Sequence, residues 1–574
     1  MQRTEYPNPQ FRRSDFVNLN GKWEFEIDNN FTGFKRDLLN NKLKQEIIVP
    51  FCPESELSLV NHKDFIYACW YKRKFNIDEE QMKKRITINF GAVDYLAVVY
   101  INGKRVGSHS GGSTPFKFSI NDFVIIGENE VTVYVEDNTK DNIPSGKQSS
   151  KLNSYGCFYT RVTGIWQTVY LEFTPHIYIE SIKYFPNITD GSVDIEVKTN
   201  GEANLLTEVY FNNKLVGQNE TSVIRKLRYT IKLQEIHLWG LGEGNLYDVK
   251  FSLGEDTVHS YFGLREVKYD GLKFMLNGKS VFQRLVLDQG YYKDGVYTAK
   301  NVDEFKQDIQ MALDLGFNGA RLHQKVFEPQ YLYYCDLMGF MVWGEFPSWG
   351  IRTSDLDVLG NFIQEWTEVV ERDFNHPSIL MWCPLNETWE DLDDSERVRD
   401  VRFVESIYSV TKTLDETRPC VDVSGGYHGR KTDLFDFHYY GDLEGLKDKI
   451  KDLEEKDLLT MGKTYAKGEN IFYQKGQPVL ASEYGGLSFN LKENNEKAWA
   501  YSNINNEDEF VKNFIDMAEV LLSSSKLSGF CYTQLYDVEQ EVNGLYTYDR
   551  KLKFDKKHFA KIKSVLQQKA KIEK

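Results

Sequence analysis

The sequence predicts a multidomain chain in which two β-sandwiches precede a (β/α)8 barrel, and three observations carry that prediction. At roughly 100–200 residues per domain, a length of 574 residues implies about three to five domains and excludes a single core. Period-two hydrophobic alternation, broken by Asn-Gly and Gly-Gly turns, runs in two blocks as far as Gly263. Beyond Gly263 helix-like and strand-like segments alternate, as in a parallel sheet with crossover helices.

The first block runs from Leu19 to about Phe173 and contains LNGKWEFEID, ACWYKRKFNI, RITINFGAVDYLAVVYINGKRVG, NEVTVYVED and GIWQTVYLEF. Tyr100-Ile101-Asn102-Gly103-Lys104 is the strongest hairpin signal, because Asn-Gly supplies the two left-handed residues of a type I′ turn. Residues 1–173 are assigned to this β-sandwich. The second block repeats the pattern in SVDIEVKTN, NLLTEVYFNNKLVG and LYDVKFSL. Its length of about ninety residues suits an immunoglobulin-like sandwich, assigned to residues 174–265.

Residues 266–574 are assigned to the barrel. Asn301-Val302-Asp303-Glu304 reads as a helix start, with Val302, Phe305, Ile309, Ala312 and Leu313 at helical spacing until Gly316 ends the run. The strand candidates are KSVFQRLVLDQG, FNGARLHQ, FMVWGEF, SILMWCPLNE, CVDVSGG, LFDFHYY, QPVLASEYGG and GFCYTQLYD. Eight parallel strands with intervening helices close into a barrel whose reactive groups stand at the C-terminal strand ends.

Composition narrows the functional classes. Charged residues at 27% and hydrophobic residues at 41% are those of an ordinary soluble globular protein. A net charge of −15 without any Lys/Arg cluster excludes nucleic acid as a partner. No window approaches the eighteen or so apolar residues of a membrane span, and the first residues, MQRTEYPNPQFRRSDF, lack the apolar stretch of a signal peptide. The seven cysteines are scattered and nowhere form C-x-x-C, which fits a reducing cytoplasm and gives neither a disulfide framework nor a zinc site. Aromatic residues at 14% suit both strand packing and the flat faces of sugars.

The strand ends hold Asp288-Gln289, Arg321, His323, Glu345, Asn386-Glu387, His438-Tyr439-Tyr440, Glu483-Tyr484, Gln534 and Asp537. Glu387 and Glu483 stand out because each follows a strongly apolar strand and lies among polar and aromatic neighbours. They end strands four and seven, across the barrel mouth, where two carboxylates can converge on one glycosidic bond: one protonates the leaving oxygen while the other attacks the anomeric carbon. For His323 and His438, hydroxyl-binding and purely structural roles both fit. Trp349, Trp389, Tyr440 and Tyr484 are the strand-end rings a sugar could stack on. Gly278-Lys279-Ser280 and Gly462-Lys463-Thr464 lack the leading glycine of a P-loop, no G-x-S-x-G elbow occurs in register, and no H-x-H or H-E-x-x-H is present.

At these residues the chain resembles the family 2 glycoside hydrolases, which include bacterial β-galactosidases, β-glucuronidases and β-mannosidases. LNGKWEFEID, GSHSGGSTPFKF and TGIWQTVYLE resemble the family's N-terminal jelly-roll, its sugar-binding domain. FNGARLHQ, VWGEFP, HPSILMWCPLNE and LASEYGG resemble its barrel motifs in the family's order. The resemblance implies that Glu387 is the general acid/base and Glu483 the nucleophile of a retaining double displacement, with carboxyl groups about 5–5.5 Å apart. It implies that Asn386 binds the sugar 2-hydroxyl and that Arg321 and Tyr440 stand near the nucleophile. His323, His438, Gln534, Trp349 and Trp389 complete the expected substrate-binding set.

Departures from the family pattern bear on the substrate. LVLDQGYY replaces the usual first-strand motif, so Asp288 is expected to stand in for a hydroxyl-binding residue. The Asn-x-Lys that meets the sugar carboxylate in β-glucuronidases has no counterpart in DVEQEVNGLYTYDR, which favours a neutral sugar. Phe-Pro-Ser-Trp-Gly after Glu345 lacks the magnesium ligands of large β-galactosidases, so neither a metal nor a cofactor is expected. The expectation is a cytoplasmic retaining exo-β-glycosidase on a carbohydrate substrate, with β-galactoside leading. A β-glucuronidase, another β-glycosidase of the family, or a carbohydrate-binding protein on an inactive barrel are the alternatives. Homo-oligomerisation is left open.

Overall fold

The structure is a computed structural model and describes residues 3–138, 142–388, 400–426, 428–459, 473–488, 498–504 and 506–574. The N-terminal domain is a sandwich of two antiparallel sheets. A four-stranded sheet orders Phe16–Asn18, Val169–Thr174, Arg85–Phe90 and Phe116–Ser119; a six-stranded sheet orders Gln45–Val49, Gly21–Ile27, Ala68–Ile77, Gly127–Glu136, Leu96–Ile101 and Lys104–Ser110. Their facing residues, among them Trp23, Phe25, Tyr71, Ile88, Phe90, Val133 and Leu171, form one core. The expected hairpin is present: Asn102 at φ 51° and Gly103 at φ 75° turn Leu96–Ile101 into Lys104–Ser110, with Ile101 paired to Lys104.

The second domain is built on one long bent hairpin, Ser192–Phe211 with Lys214–Lys232. A register shift between Lys198 and Glu202 lets one strand serve two neighbours. Ser192–Phe211 pairs with Ile179–Asn187 up to Thr199, and with Tyr247–Leu253 from Leu205 onward. Ile195, Val197, Val209, Phe251 and Phe262 fill the interior. Arg13 ties the first two domains together, donating to Glu172 at 2.9 Å and to Asp256 at 2.8 Å.

A three-stranded meander, Val267–Asp270, Lys273–Leu276 and Lys279–Ser280, leads into the barrel, and its Val267, Phe274 and Leu276 share a core with the barrel residues Leu285, Trp343, Leu380 and Cys531. The barrel strands are Gln283–Asp288, Gly319–Leu322, Met341–Glu345, Ile379–Cys383, Phe435–Tyr439, Val479–Gly485 and Leu527–Thr533. They form a single parallel sheet whose first strand lies between Gly319–Leu322 and Leu527–Thr533. The helix expected after Asn301 spans Val302–Leu315, capped by the Asn301 side chain and ended by Gly316 at φ 106°.

One strand expectation is corrected. Residues 420–426 form no strand: two isolated parallel bridges, Trp382 to Cys420 and Asn386 to Ser424, hold them against strand four. The backbone N–H groups of Cys420, Asp422 and Gly425 donate to the side chains of Asp433, Thr432 and Asp436 instead of to another strand. Asp422 accepts from the backbone N–H of Gly429 and faces His428, while Ser424 Oγ donates to Asp436 at 2.9 Å.

The N-terminal sandwich and the barrel share a core, since Cys52, Tyr159, Val162 and Trp166 belong to the same buried cluster as Tyr291, Tyr297 and Phe305. All seven cysteines are buried and free. Among the described residues, no helix is long and apolar enough to cross a membrane.

Candidate active site

The site grows from strand two. Arg321 stands next to that strand's last residue and is 0% exposed. Its guanidinium fork reaches three neighbouring strand ends: Nε donates to Glu345 Oε1 at 2.5 Å, Nη1 to Glu483 Oε1 at 3.0 Å and Nη2 to Asn386 Oδ1 at 3.1 Å. A fourth bond, from Nη1 to the Ser482 carbonyl at 2.8 Å, fixes the fork to the strand Val479–Gly485. Burial by itself would raise the Glu345 carboxyl, but Arg321 and the His323 imidazole 3.0 Å away reverse this and hold it at about 2. Glu345 thus favours its charged form and pairs with the Arg321 Nε. Burial lowers the pKa of His323, whose Nε2 lies 3.8 Å from Glu483.

Glu387 lies beyond strand four with φ at +52°, followed by Thr388 at +55°. Two consecutive left-handed residues are strained. The turn is held by the Glu387 N–H donating to Ser424 O at 2.8 Å. A Cβ on Gly426 would come within 3.2 Å of the Glu387 backbone, so glycine leaves room for the turn. The carboxylate meets His438 Nδ1 at 2.6 Å, while Nε2 of the same ring lies 3.4 Å from Glu483 Oε1 and 3.1 Å from Ser424 Oγ. His438 sits against Gly425, where a Cβ would come within 2.3 Å of the ring. Burial works against its charged form, but Glu483 and Glu387 outweigh burial and raise its pKa.

A carboxylate oxygen of Glu387 and one of Glu483 lie within 4.8 Å of each other. Their surroundings differ: the Glu483 side chain is 5% exposed and that of Glu387 16%. Glu483 receives Arg321 on one oxygen and the Tyr440 hydroxyl on the other. The Tyr440 ring stacks on Tyr501 with centroids 3.7 Å apart, making one wall. Trp349 makes another wall; its Nε1 donates to Asn386 O at 3.0 Å, and Phe158 of the N-terminal domain packs 5.4 Å from its ring.

The structure thus gathers Glu387, Glu483, Asn386, Arg321, His323, His438, Tyr440 and Trp349. Asp288 lies apart from this group. One of its oxygens accepts from the Tyr536 hydroxyl at 2.5 Å and from the Gly290 N–H, the other from Tyr331 at 2.8 Å, so the carboxylate is engaged inside the barrel wall. Gln534 is 0% exposed, and its side-chain oxygen accepts from Gln289 at 2.8 Å, outside the carboxylate cluster. Trp389 lies outside the described residues. The sequence placed Glu345 at a strand end without a role, and it gave no signal for Phe158 of the N-terminal domain or for Tyr501, which are not at barrel strand ends.

Glu387, His438 and Glu483 also present the donor types of a cation site, but Arg321 beside Glu483 opposes a second positive charge there. Glu507, Asp555 and His558, near the starts of the last two barrel helices, form the other such group among the described residues. The central pair suits acid/base and nucleophilic work: one enclosed carboxylate between an arginine and a tyrosine, and one more open carboxyl facing it.

Family comparison matches residues 16–175 to the sugar binding domain of glycosyl hydrolases family 2, residues 177–265 to the family's middle region and residues 267–567 to its TIM barrel domain. A β-galactosidase of Thermoanaerobacter pseudethanolicus is 26% identical over 476 residues, 79% of this chain and 60% of that protein. A β-glucuronidase of Streptococcus agalactiae is 24% identical over 526 residues, 81% of this chain and 82% of that protein. The chain thus spans less than two thirds of the length of the Thermoanaerobacter relative. Among solved structures, a β-glucuronidase of an uncultured Clostridium superposes with a TM-score of 0.79 at 21% identity, over 99% of this chain and 100% of that one, and shares its fold.

Proposed function

The chain belongs to glycosyl hydrolase family 2, and from that premise we propose that it is a retaining exo-β-glycosidase with Glu483 as nucleophile and Glu387 as general acid/base. The observation that carries this reading is the approach of the two carboxylates to within 4.8 Å. Retention requires a close pair, about 5–5.5 Å apart, whereas inversion leaves about 6.5–9.5 Å for a water.

The roles follow from the surroundings. Arg321 and the Tyr440 hydroxyl donate to the two oxygens of Glu483 and hold its carboxylate in place for attack on the anomeric carbon. Glu387 delivers its proton to the glycosidic oxygen as the anomeric carbon moves onto Glu483. Once the glycosyl ester forms, the negative charge on Glu483 is gone, and Glu387, now a carboxylate, takes a proton from the water that breaks the ester. Asn386 gives its oxygen to Arg321, which leaves its amide N–H groups for the sugar 2-hydroxyl.

For the sugar, a β-glucuronide is better supported than the β-galactoside favoured by the sequence. The match takes in 82% of the Streptococcus β-glucuronidase but 60% of the Thermoanaerobacter β-galactosidase. A panel of aryl β-glycosides, galactoside and glucuronide included, followed by trapping with the 2-fluoro analogue of the best substrate, tests the reading. Turnover with the label on Glu483, and loss of roughly 10³-fold or more in Glu483→Gln, is expected. Inactivity on every glycoside, or a label elsewhere, overturns it.

A further inference from the structure

Lys147 belongs to the N-terminal domain by sequence and to the active site by position. Its loop is fastened to the turn after barrel strand three. Ser145 N donates to Trp349 O at 2.8 Å, and Gly146 N donates to Trp349 O at 3.0 Å and Pro347 O at 3.2 Å. Gly146 has φ +59°, and a Cβ there would come within 2.5 Å of Gln324 O, so the approach depends on glycine. The Lys147 side chain then runs over Trp349, with Nζ 4.6 Å from the ring centroid, and the residue is 4% exposed. Trp349 is the ring whose Nε1 holds Asn386, the neighbour of Glu387.

Among the described residues the Lys147 ammonium makes no hydrogen bond and no ion pair within 4.0 Å. Contact with one indole face leaves its three N–H donors unused. Burial disfavours its charge, but the field of Cys157, Glu541, Glu483 and Glu387 prevails and raises its pKa. Glu541 does not close the gap. Its oxygens accept from the Tyr159 hydroxyl and from Asn543 at 2.9 Å, and burial pushes its carboxyl up toward the neutral form. Arg321 is already committed to Glu345 and Glu483.

We propose that Lys147 is the specificity-determining residue of this site, its unpartnered ammonium taking the carboxylate of a uronic-acid sugar bound along Trp349. The proposal rests on the glycosidase reading and supplies, from another domain, the cation missing from DVEQEVNGLYTYDR. A structural counter-charge would act on neutral and anionic sugars alike; a carboxylate receptor separates them.

Calorimetric binding of isofagomine and of uronic isofagomine to the full chain, as wild type, Lys147→Met and Lys147→Arg, tests it. Wild type is expected to prefer the uronic form by about ten-fold or more, as a charge-assisted hydrogen bond would give. Lys147→Met removes the preference, and Lys147→Arg restores most of it. Lys147→Gln takes the place of the methionine variant should that one fail to fold. A wild type that binds isofagomine alone, or a variant that loses both equally, overturns the proposal while the glycosidase reading stands. A wild type that binds neither overturns both.

Discussion

Arg321 fixes the geometry of the site because a single guanidinium spans three strand ends. In Arg321→Met, Glu345 and Glu483 lose their shared cation in a buried setting. We expect kcat/KM to fall roughly 10³-fold or more and urea unfolding to show a loss of about 3–5 kcal/mol. Asp288 gives the opposite pattern. Since it binds Tyr331, Tyr536 and Gly290 rather than sugar, Asp288→Asn should cost about 1–3 kcal/mol of stability and leave the ratio of activities between sugars unchanged. A shifted ratio would return Asp288 to the substrate. The contrast shows what a sequence conveys at this scale. Glu387 and Glu483 were legible because an apolar strand followed by a carboxylate is a local pattern. Lys147 was not, because its approach depends on a loop docked by backbone bonds onto a turn some two hundred residues away in the chain.

At the scale of elements, the helices and most strands were legible from periodicity and caps, as at Asn301 and Gly316. The segment 420–426 was not, because the side chains of Asp433, Thr432 and Asp436 take backbone N–H groups that a strand would use. That segment is pinned by His428, which lies between Asp422 at 2.6 Å and Asp436 at 3.1 Å. Burial opposes the charge on His428, but Asp422 and Asp436 overcome it and raise the imidazole to about 10. A folded value above the unfolded one, about 6.5, means stabilisation that is complete below that pH and is lost as pH rises toward about 10. The stability gap between wild type and His428→Gln, by denaturant titration, should therefore be on the order of 2–4 kcal/mol near pH 6 and shrink steadily to pH 10. A gap independent of pH would mean a neutral histidine.

For the whole molecule, the shared core of the N-terminal sandwich and the barrel makes them one cooperative body. Trp166 O accepts from Thr298 Oγ1 at 2.6 Å, and Tyr159 donates to Glu541 across the same boundary. Residues 266–574 expressed alone should expose that apolar face, aggregate on size exclusion and show no turnover, whereas a soluble, active barrel would show the boundary to be incidental. The buried cysteines carry a different consequence. Burial pushes all seven thiols up, Cys157 to about 11 and the rest well above their ordinary value. The folded chain is thus silent toward alkylating reagents. One cysteine introduced on the surface becomes a unique handle for a fluorophore, and the native seven, distributed over the first domain and the barrel, become a chemical clock that starts only when those regions open.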